Sequence, residues 1–246
     1  MTSVVGIYCK DGCVIGTDSS ITMSANSAVR TVEQLGEKIS IVDNSVVIAG
    51  TGSFGLGQRF GCIIQKLWQE KSFQNPNEVS KQISRLMHED MRSTYLNPGQ
   101  YGAFIAFPCQ KGHYLCEYDP ETFQPEFKNE KFWYGSMGSA QLITDPFLGF
   151  MRDVFWRDGL PTVTEAVFTV TWTLEHAITV NTGGVNGPIR IAVLEKTKGV
   201  MTARVISDEE LDEHRQSIAD IKDSMKNVRE KFKGENVSVP NIPKRS

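Results

Sequence analysis

The chain opens with short runs in which apolar residues crowd together between turn signals. Residues 3–9 (Ser-Val-Val-Gly-Ile-Tyr-Cys) have the composition of a strand, and Lys10-Asp11-Gly12 supplies a turn, Asp-Gly being a favoured hairpin pair. Cys13–Thr17 is the return strand and ends at Asp18. Residues 19–36 are polar with little periodicity. A second strand pair, 38–42 and 45–49, is expected around Asp43-Asn44, so the first fifty residues predict an antiparallel sheet. The period then changes. Leu56, Phe60, Ile63, Ile64, Leu67 and Trp68 recur at helical spacing. Asn75-Pro76-Asn77-Glu78 is a helix start, with a capping residue, proline in the first position and glutamate at the third. Strands are predicted again at 101–108, 113–118 and 131–135, helices at 139–157 and 162–180, and strands at 188–195 and 200–206. Strand runs alternating with helix pairs point to layered α+β packing and not to a βαβ repeat.

Beyond residue 206 the pattern differs. Ser207-Asp208-Glu209-Glu210 forms a capping box. Leu211, Ile218, Ile221, Met225, Val228 and Phe232, with His214 at the missing position, mark a heptad-like stripe on a charged helix. Such a stripe packs on its own domain or on a neighbouring subunit. Residues 234–246 carry two prolines and a basic end, and read as loose. The organisation expected is one domain over 2–206 and a charged helix with a tail over 207–246.

Composition narrows the function classes. With 246 residues, 40% hydrophobic and 22% charged, the chain is an ordinary globular protein. A net charge of −3 gives no basic footprint for nucleic acid. No apolar run approaches the roughly 18 residues of a membrane span. The start, Met1-Thr2-Ser3-Val4, lacks the features of a secretory signal, so a cytoplasmic location is expected. Five cysteines are scattered without a CxxC pair, as reduced thiols would be, and neither a metal nor a cofactor is expected.

Three residues could carry chemistry. Removal of Met1, which precedes a small residue, would leave Thr2 with a free α-amine. A threonine hydroxyl needs a base beside it to act as a nucleophile. The α-amine, with a reference pKa of about 7.7–8.0, can be that base. A nearby ammonium depresses it further and keeps it neutral. Lys38, at the head of the third strand, is the candidate ammonium, and Asp18, at the end of the second, the carboxylate that fixes it. Taken singly these are a start residue, a solvated strand end and a turn former.

Together with their flanks they resemble a known family. Thr2-Ser3-Val4-Val5-Gly6, Gly12 to Ser19, Glu37-Lys38-Ile39 and Val47 to Gly52 are similar to segments of proteasome β-type subunits and HslV-like peptidases. So are Tyr134 to Ala140, which resembles a Gly-Ser-Gly turn before a helix, and Asn181 to Ile189. The resemblance spans about residues 2–206. It implies the N-terminal nucleophile (Ntn) hydrolase fold, a four-layer αββα sandwich, here with a C-terminal helical extension. It implies a threonine-type endopeptidase in which Thr2 attacks a peptide carbonyl, Lys38 lowers the local pKa values and Asp18 orients Lys38. Ser136 would help hold the threonine amine. A backbone N–H in a turn over Gly50, Thr51, Gly52, Ser53 and Phe54 would face the oxyanion. Partners implied are other copies of the chain in stacked rings, peptide or unfolded-protein substrates, and an ATPase unfoldase as a candidate feeder.

The sequence also departs from the family. Ser20 stands where many β-type subunits carry arginine. Thr179 takes the place of a late aspartate, with Thr182 standing in for its serine neighbour. The segment between Asp18 and Lys38 is a few residues longer than usual, which bears on the substrate pocket. Rival readings are a ring subunit that only scaffolds, or an Ntn enzyme acting on a small amide. Gly50-Thr51-Gly52-Ser53-Phe54-Gly55 also matches a dinucleotide fingerprint, but Glu70, at the distance of its acidic residue, falls in a helical pattern. Neither Ser53 nor Ser136 lies in a G-x-S-x-G elbow, and His88 and His176 fall in helical patterns.

Overall fold

The computed structural model describes residues 2–26, 29–97, 99–110, 112–180 and 184–234. In chain order the elements are β1 (Ser3–Tyr8), β2 (Gly12–Thr17), β3 (Ser20–Asn26), β4 (Val29–Leu35), β5 (Ile39–Val42) and β6 (Val46–Gly52). Helices α1 (Phe54–Gln69) and α2 (Pro76–Ser93) follow, then β7 (Tyr101–Cys109), β8 (Gly112–Tyr118), β9 (Pro125–Phe127) and β10 (Tyr134–Gly138). The chain continues with α3 (Gln141–Phe155), α4 (Val163–Val180), β11 (Arg190–Thr197), β12 (Val200–Val205) and α5 (Asp208–Gly234).

Two five-stranded antiparallel sheets form, in the orders β10-β1-β2-β11-β12 and β5-β6-β7-β8-β9. Successive side chains of a strand point to opposite faces, and here both faces are buried. In β6, Val46 and Ile48 join a cluster with Phe60 and Ile64 of α1 and Ile83 and Met87 of α2. Val47 and Ala49 turn the other way and meet Val4, Ile15, Phe104 and Leu194 between the sheets. In the first sheet, Val5, Val14 and Val193 pack under Leu148 of α3 and Val170 of α4. Three apolar clusters thus fill the three spaces of a four-layer αββα sandwich, the expected fold. This is why the strands read as near-continuous apolar runs and not as alternating ones. Each fully buried Val, Ile, Leu or Phe contributes roughly 1.5–3 kcal/mol.

Helix α4 lies deep enough to bury Thr169, Thr171 and Thr173. Their hydroxyls are satisfied locally, donating to the carbonyls of Glu165, Val167 and Thr169 one turn back. Helix α5 docks through Leu211 and Ile218, which are 1% and 2% exposed and belong to the cluster under α4. Arg215 reaches Glu175 at 2.7 Å, and Lys222 lies over the Trp172 ring. Farther along the same stripe, Met225, Val228 and Phe232 are exposed.

The first hairpins form as expected, Asp43 and Asn44 both taking the positive φ of a tight two-residue turn. Four expectations change. Residues 19–36, read as polar with little periodicity, contain the β3–β4 hairpin, which among the described residues forms a two-stranded sheet of its own. The strand expected at 131–135 lies at Tyr134–Gly138, because Asn129 and Phe132 close a turn on each other first. Strand β9 was invisible, being three residues long, at a sheet edge and headed by proline. The strand expected from residue 188 starts at Arg190.

Candidate active site

Pairing of β1 with β2 brings the chain start beside Asp18. The Asp18 side chain is fully buried, and each oxygen has a donor. Ser3 N–H donates to Oδ1 at 2.9 Å and Ser20 N–H to Oδ2 at 3.1 Å. Lys38, just before β5, crosses from the other sheet, and its Nζ donates to Asp18 Oδ1 at 2.7 Å with its side chain only 6% exposed. A buried ammonium without a partner would be costly. The aspartate therefore both neutralises the lysine and fixes where its charge sits. The fixing is rigid because the backbone of β1 and the segment after β2 grip the same carboxylate.

Thr2 is 9% exposed and shares one cleft with Lys38. It is gripped from β10 and the residue after it. Ser139 N–H donates to the Thr2 carbonyl at 2.9 Å, and Thr2 N–H donates to Ser139 Oγ at 3.3 Å. Gly138 has φ +97°, and a β-carbon there would lie 2.1 Å from the Thr2 carbonyl oxygen and 3.1 Å from Thr51 Oγ1. Only glycine allows the two segments this approach.

The contact expected of Ser136 is therefore made by Ser139. Register explains the exchange: Val5 pairs with Ser136 and Ser3 with Gly138, so the second of two Gly-Ser pairs, not the first, lies beside Thr2. Ser136 is buried and bonded to Thr144 and Asp145 at the start of α3. It lines a separate polar cavity of about 350 Å³ with Glu117, Glu126 and Lys128. There Lys128 Nζ is held by Glu126 at 2.6 Å and by Glu117, whose carboxyl is pushed up by burial.

The segment expected as an oxyanion turn is mostly strand. Gly50, Thr51 and Gly52 complete β6, paired with Ala103, Gly102 and Tyr101, and the turn itself is Ser53 leading into Phe54 of α1. All five residues nevertheless line the cleft with Thr2. Ser20 bonds Asp18 through its backbone N–H. Thr179 does not support the site: its hydroxyl donates to Glu175 O within α4, and the residue is exposed. Thr182 lies outside the described residues.

The cleft has a volume of about 940 Å³, at the upper end for small-ligand pockets. It runs from Thr2 and Lys38 along the edge strand β5 and between β5–β6 and α1. Glu37 and Asp43 are exposed on its rim. Among the described residues, no group of three or more His, Cys, Asp or Glu side chains is placed to hold a metal, and no helix is long and apolar enough to cross a membrane. The dinucleotide reading of Gly50–Gly55 fails on topology, since β6 is antiparallel to both neighbours whereas that fingerprint needs a parallel βαβ unit. His88 bonds Thr122 O and His176 stacks on Phe147, neither lining the cleft.

Comparison with known proteins places the chain in a family and a fold. A family model described as Proteasome subunit matches residues 1–182. No curated protein matches the chain. Among solved structures, the chain is similar to an Anbu (Gly-1) mutant from Hyphomicrobium sp. strain MC1, with a TM-score of 0.72 and 14% identity over 97% of this chain and 100% of that one. At that identity the likeness speaks for the fold alone.

Proposed function

Because this chain belongs to the proteasome subunit family, we propose that it is a threonine-type endopeptidase whose nucleophile is Thr2, exposed by removal of Met1. The observation that carries the reading is the convergence of Thr2 and the buried Lys38–Asp18 pair on one peptide-sized cleft. A subunit that only scaffolds has no use for a desolvated lysine, held by Asp18 at 2.7 Å, in the same cleft as Thr2. A small-amide hydrolase is less well served by a cleft open along an edge strand than by a closed pocket.

In the mechanism, the freed α-amine takes the Thr2 hydroxyl proton as Oγ attacks the peptide carbonyl. The Lys38 ammonium, a fixed positive charge in a desolvated site, holds the amine neutral and favours the developing alkoxide. Asp18 positions Lys38. The Ser139 hydroxyl, 3.3 Å from the Thr2 nitrogen, orients the amine. A backbone N–H within Gly50–Phe54 stabilises the tetrahedral oxyanion. The amine then returns its proton to the leaving amine, and water releases the acyl group from Oγ. Residues 2–206 form the catalytic unit and 207–246 an appendage docked on it. Copies stack as rings in the cytoplasm around a chamber that takes peptides or unfolded chains, with an ATPase unfoldase as feeder.

The test is intact mass before and after a peptide α′,β′-epoxyketone, a warhead that requires a hydroxyl and a free α-amine on one residue. Loss of methionine with a single adduct, absent in Thr2→Ala, is expected. Loss of methionine with no adduct would favour the scaffold. An adduct without cleavage of any peptide would favour a small-amide substrate.

A further inference from the structure

Tyr101, the first residue of β7, has a use the mechanism leaves open. Its ring is packed among Phe60 and Phe123 and is 4% exposed, yet its hydroxyl makes no hydrogen bond among the described residues. The hydroxyl oxygen is not among the fully buried atoms left without a partner, which among the described residues are Ser3 Oγ and Thr17 Oγ1, so it opens on the cleft and not into the core. Two glycines leave the way open. A β-carbon at Gly50 would lie 2.2 Å from the hydroxyl oxygen, and one at Gly57 3.6 Å from it. Gly50 is the residue before Thr51, whose hydroxyl approaches Gly138 beside Thr2. The phenol and the nucleophile thus line one cleft, and Val42, Ile48 and Gly61 belong to the same lining.

We propose that Tyr101 is the polar floor of a specificity pocket that selects uncharged side chains with a hydrogen-bonding tip over apolar ones of equal size. The side chain concerned, glutamine or tyrosine in type, belongs to the residue whose carbonyl Thr2 attacks. The inference rests on the peptidase reading for that last assignment. The stem of such a side chain passes apolar walls, and its tip replaces the missing partner of the phenol. Burial raises the phenol's pKa, so the group stays neutral and offers one donor and an acceptor, not a counter-charge. An ammonium on the floor would be desolvated with no carboxylate beside it. A carboxylate would have to pass Glu37 and Asp43 at the rim. A pocket that hydrogen-bonds its ligand discriminates strongly against the analogue that lacks the group, because its own polar atom is then left unpaired.

The test reads binding on Thr2→Ala protein, so that it does not depend on turnover. N-acetyl-Ala-Ala-Xaa amides in matched pairs, glutamine against methionine and tyrosine against phenylalanine, are titrated by calorimetry. The polar member of each pair is expected to bind about ten-fold tighter, the worth of one hydrogen bond in a desolvated site. In Tyr101→Phe/Thr2→Ala the ratio should fall to about one, with the apolar member's affinity unchanged. Equal affinities in the Thr2→Ala protein, a ratio that survives loss of the hydroxyl, or no binding by any of the four peptides would overturn the proposal. Selective binding together with failure of the epoxyketone adduct would count against Thr2 chemistry and leave the pocket standing.

Discussion

Replacing Asp18 by alanine tests the reasoning about the site most directly. The aspartate is 0% exposed, its partner Lys38 6%, and their atoms are 2.7 Å apart. Removing one member of a buried pair costs about 3–5 kcal/mol, since the other is left charged and dry. Here the carboxylate also accepts from Ser3 N and Ser20 N. Two orphaned N–H groups add roughly 1–3 kcal/mol each where water does not reach them. Asp18→Ala should therefore destabilise the protein by about 5 kcal/mol or more, a large share of a typical total of about 5–15. Lys38→Met should cost less, about 2–4 kcal/mol, because Asp18 keeps its two backbone donors. The double variant removes both charges. It should be more stable than the sum of the singles predicts by about 2–3 kcal/mol. The assay is urea unfolding of the four proteins at one fixed protomer concentration, since assembly shifts apparent stability. Equal m-values would confirm that each variant unfolds the same surface. Additive single effects, with a coupling below about 0.5 kcal/mol, would refute the claim that the two side chains form one desolvated unit.

Three further outcomes are expected. Ser139→Ala should slow epoxyketone labelling of Thr2 about 10–100-fold while changing stability by about 1 kcal/mol, whereas Ser136→Ala should leave the labelling rate within about two-fold, because its bonds go to Thr144 and Asp145. Gly138→Ala should cost at least about 2 kcal/mol and cut labelling, since the residue has φ +97° and its methyl would strike the Thr2 carbonyl; unchanged melting would contradict that packing. The pKa values of His176 and His214 are lowered, in both cases mainly by burial, so they favour the fold while neutral; stability should fall as pH drops below about 6.5, and His176→Phe should flatten that fall in melts between pH 7.5 and 5.5.

The sequence by itself determined the layers and the candidate chemistry. Apolar runs such as Val46–Ala49 between turn signals read as strands, and the periods of 56–68 and 79–91 as amphipathic helices, because period is a local property of the chain; that both faces of the strands are buried was decided by the packing. Thr2, Asp18 and Lys38 were legible only together, through the resemblance of their flanking segments to a known family, since singly they read as a start residue, a turn former and a solvated strand end. The tertiary structure decided what depends on register. The pairing of Ser3 with Gly138 makes Ser139 the partner of Thr2 and sends Ser136 to another cavity, although both follow a glycine. No local signal separates them, since a shift of one pair along a ladder changes no residue's neighbours in sequence. The same holds for Thr179, whose hydroxyl had a nearer acceptor one helical turn back, and for the β3–β4 hairpin, whose polar sequence carries no clear strand period. Tyr101 is the sharpest case: in sequence it is one more aromatic at a strand start, and only the approach of Gly50 and Gly57 from two other elements turns its hydroxyl toward the cleft.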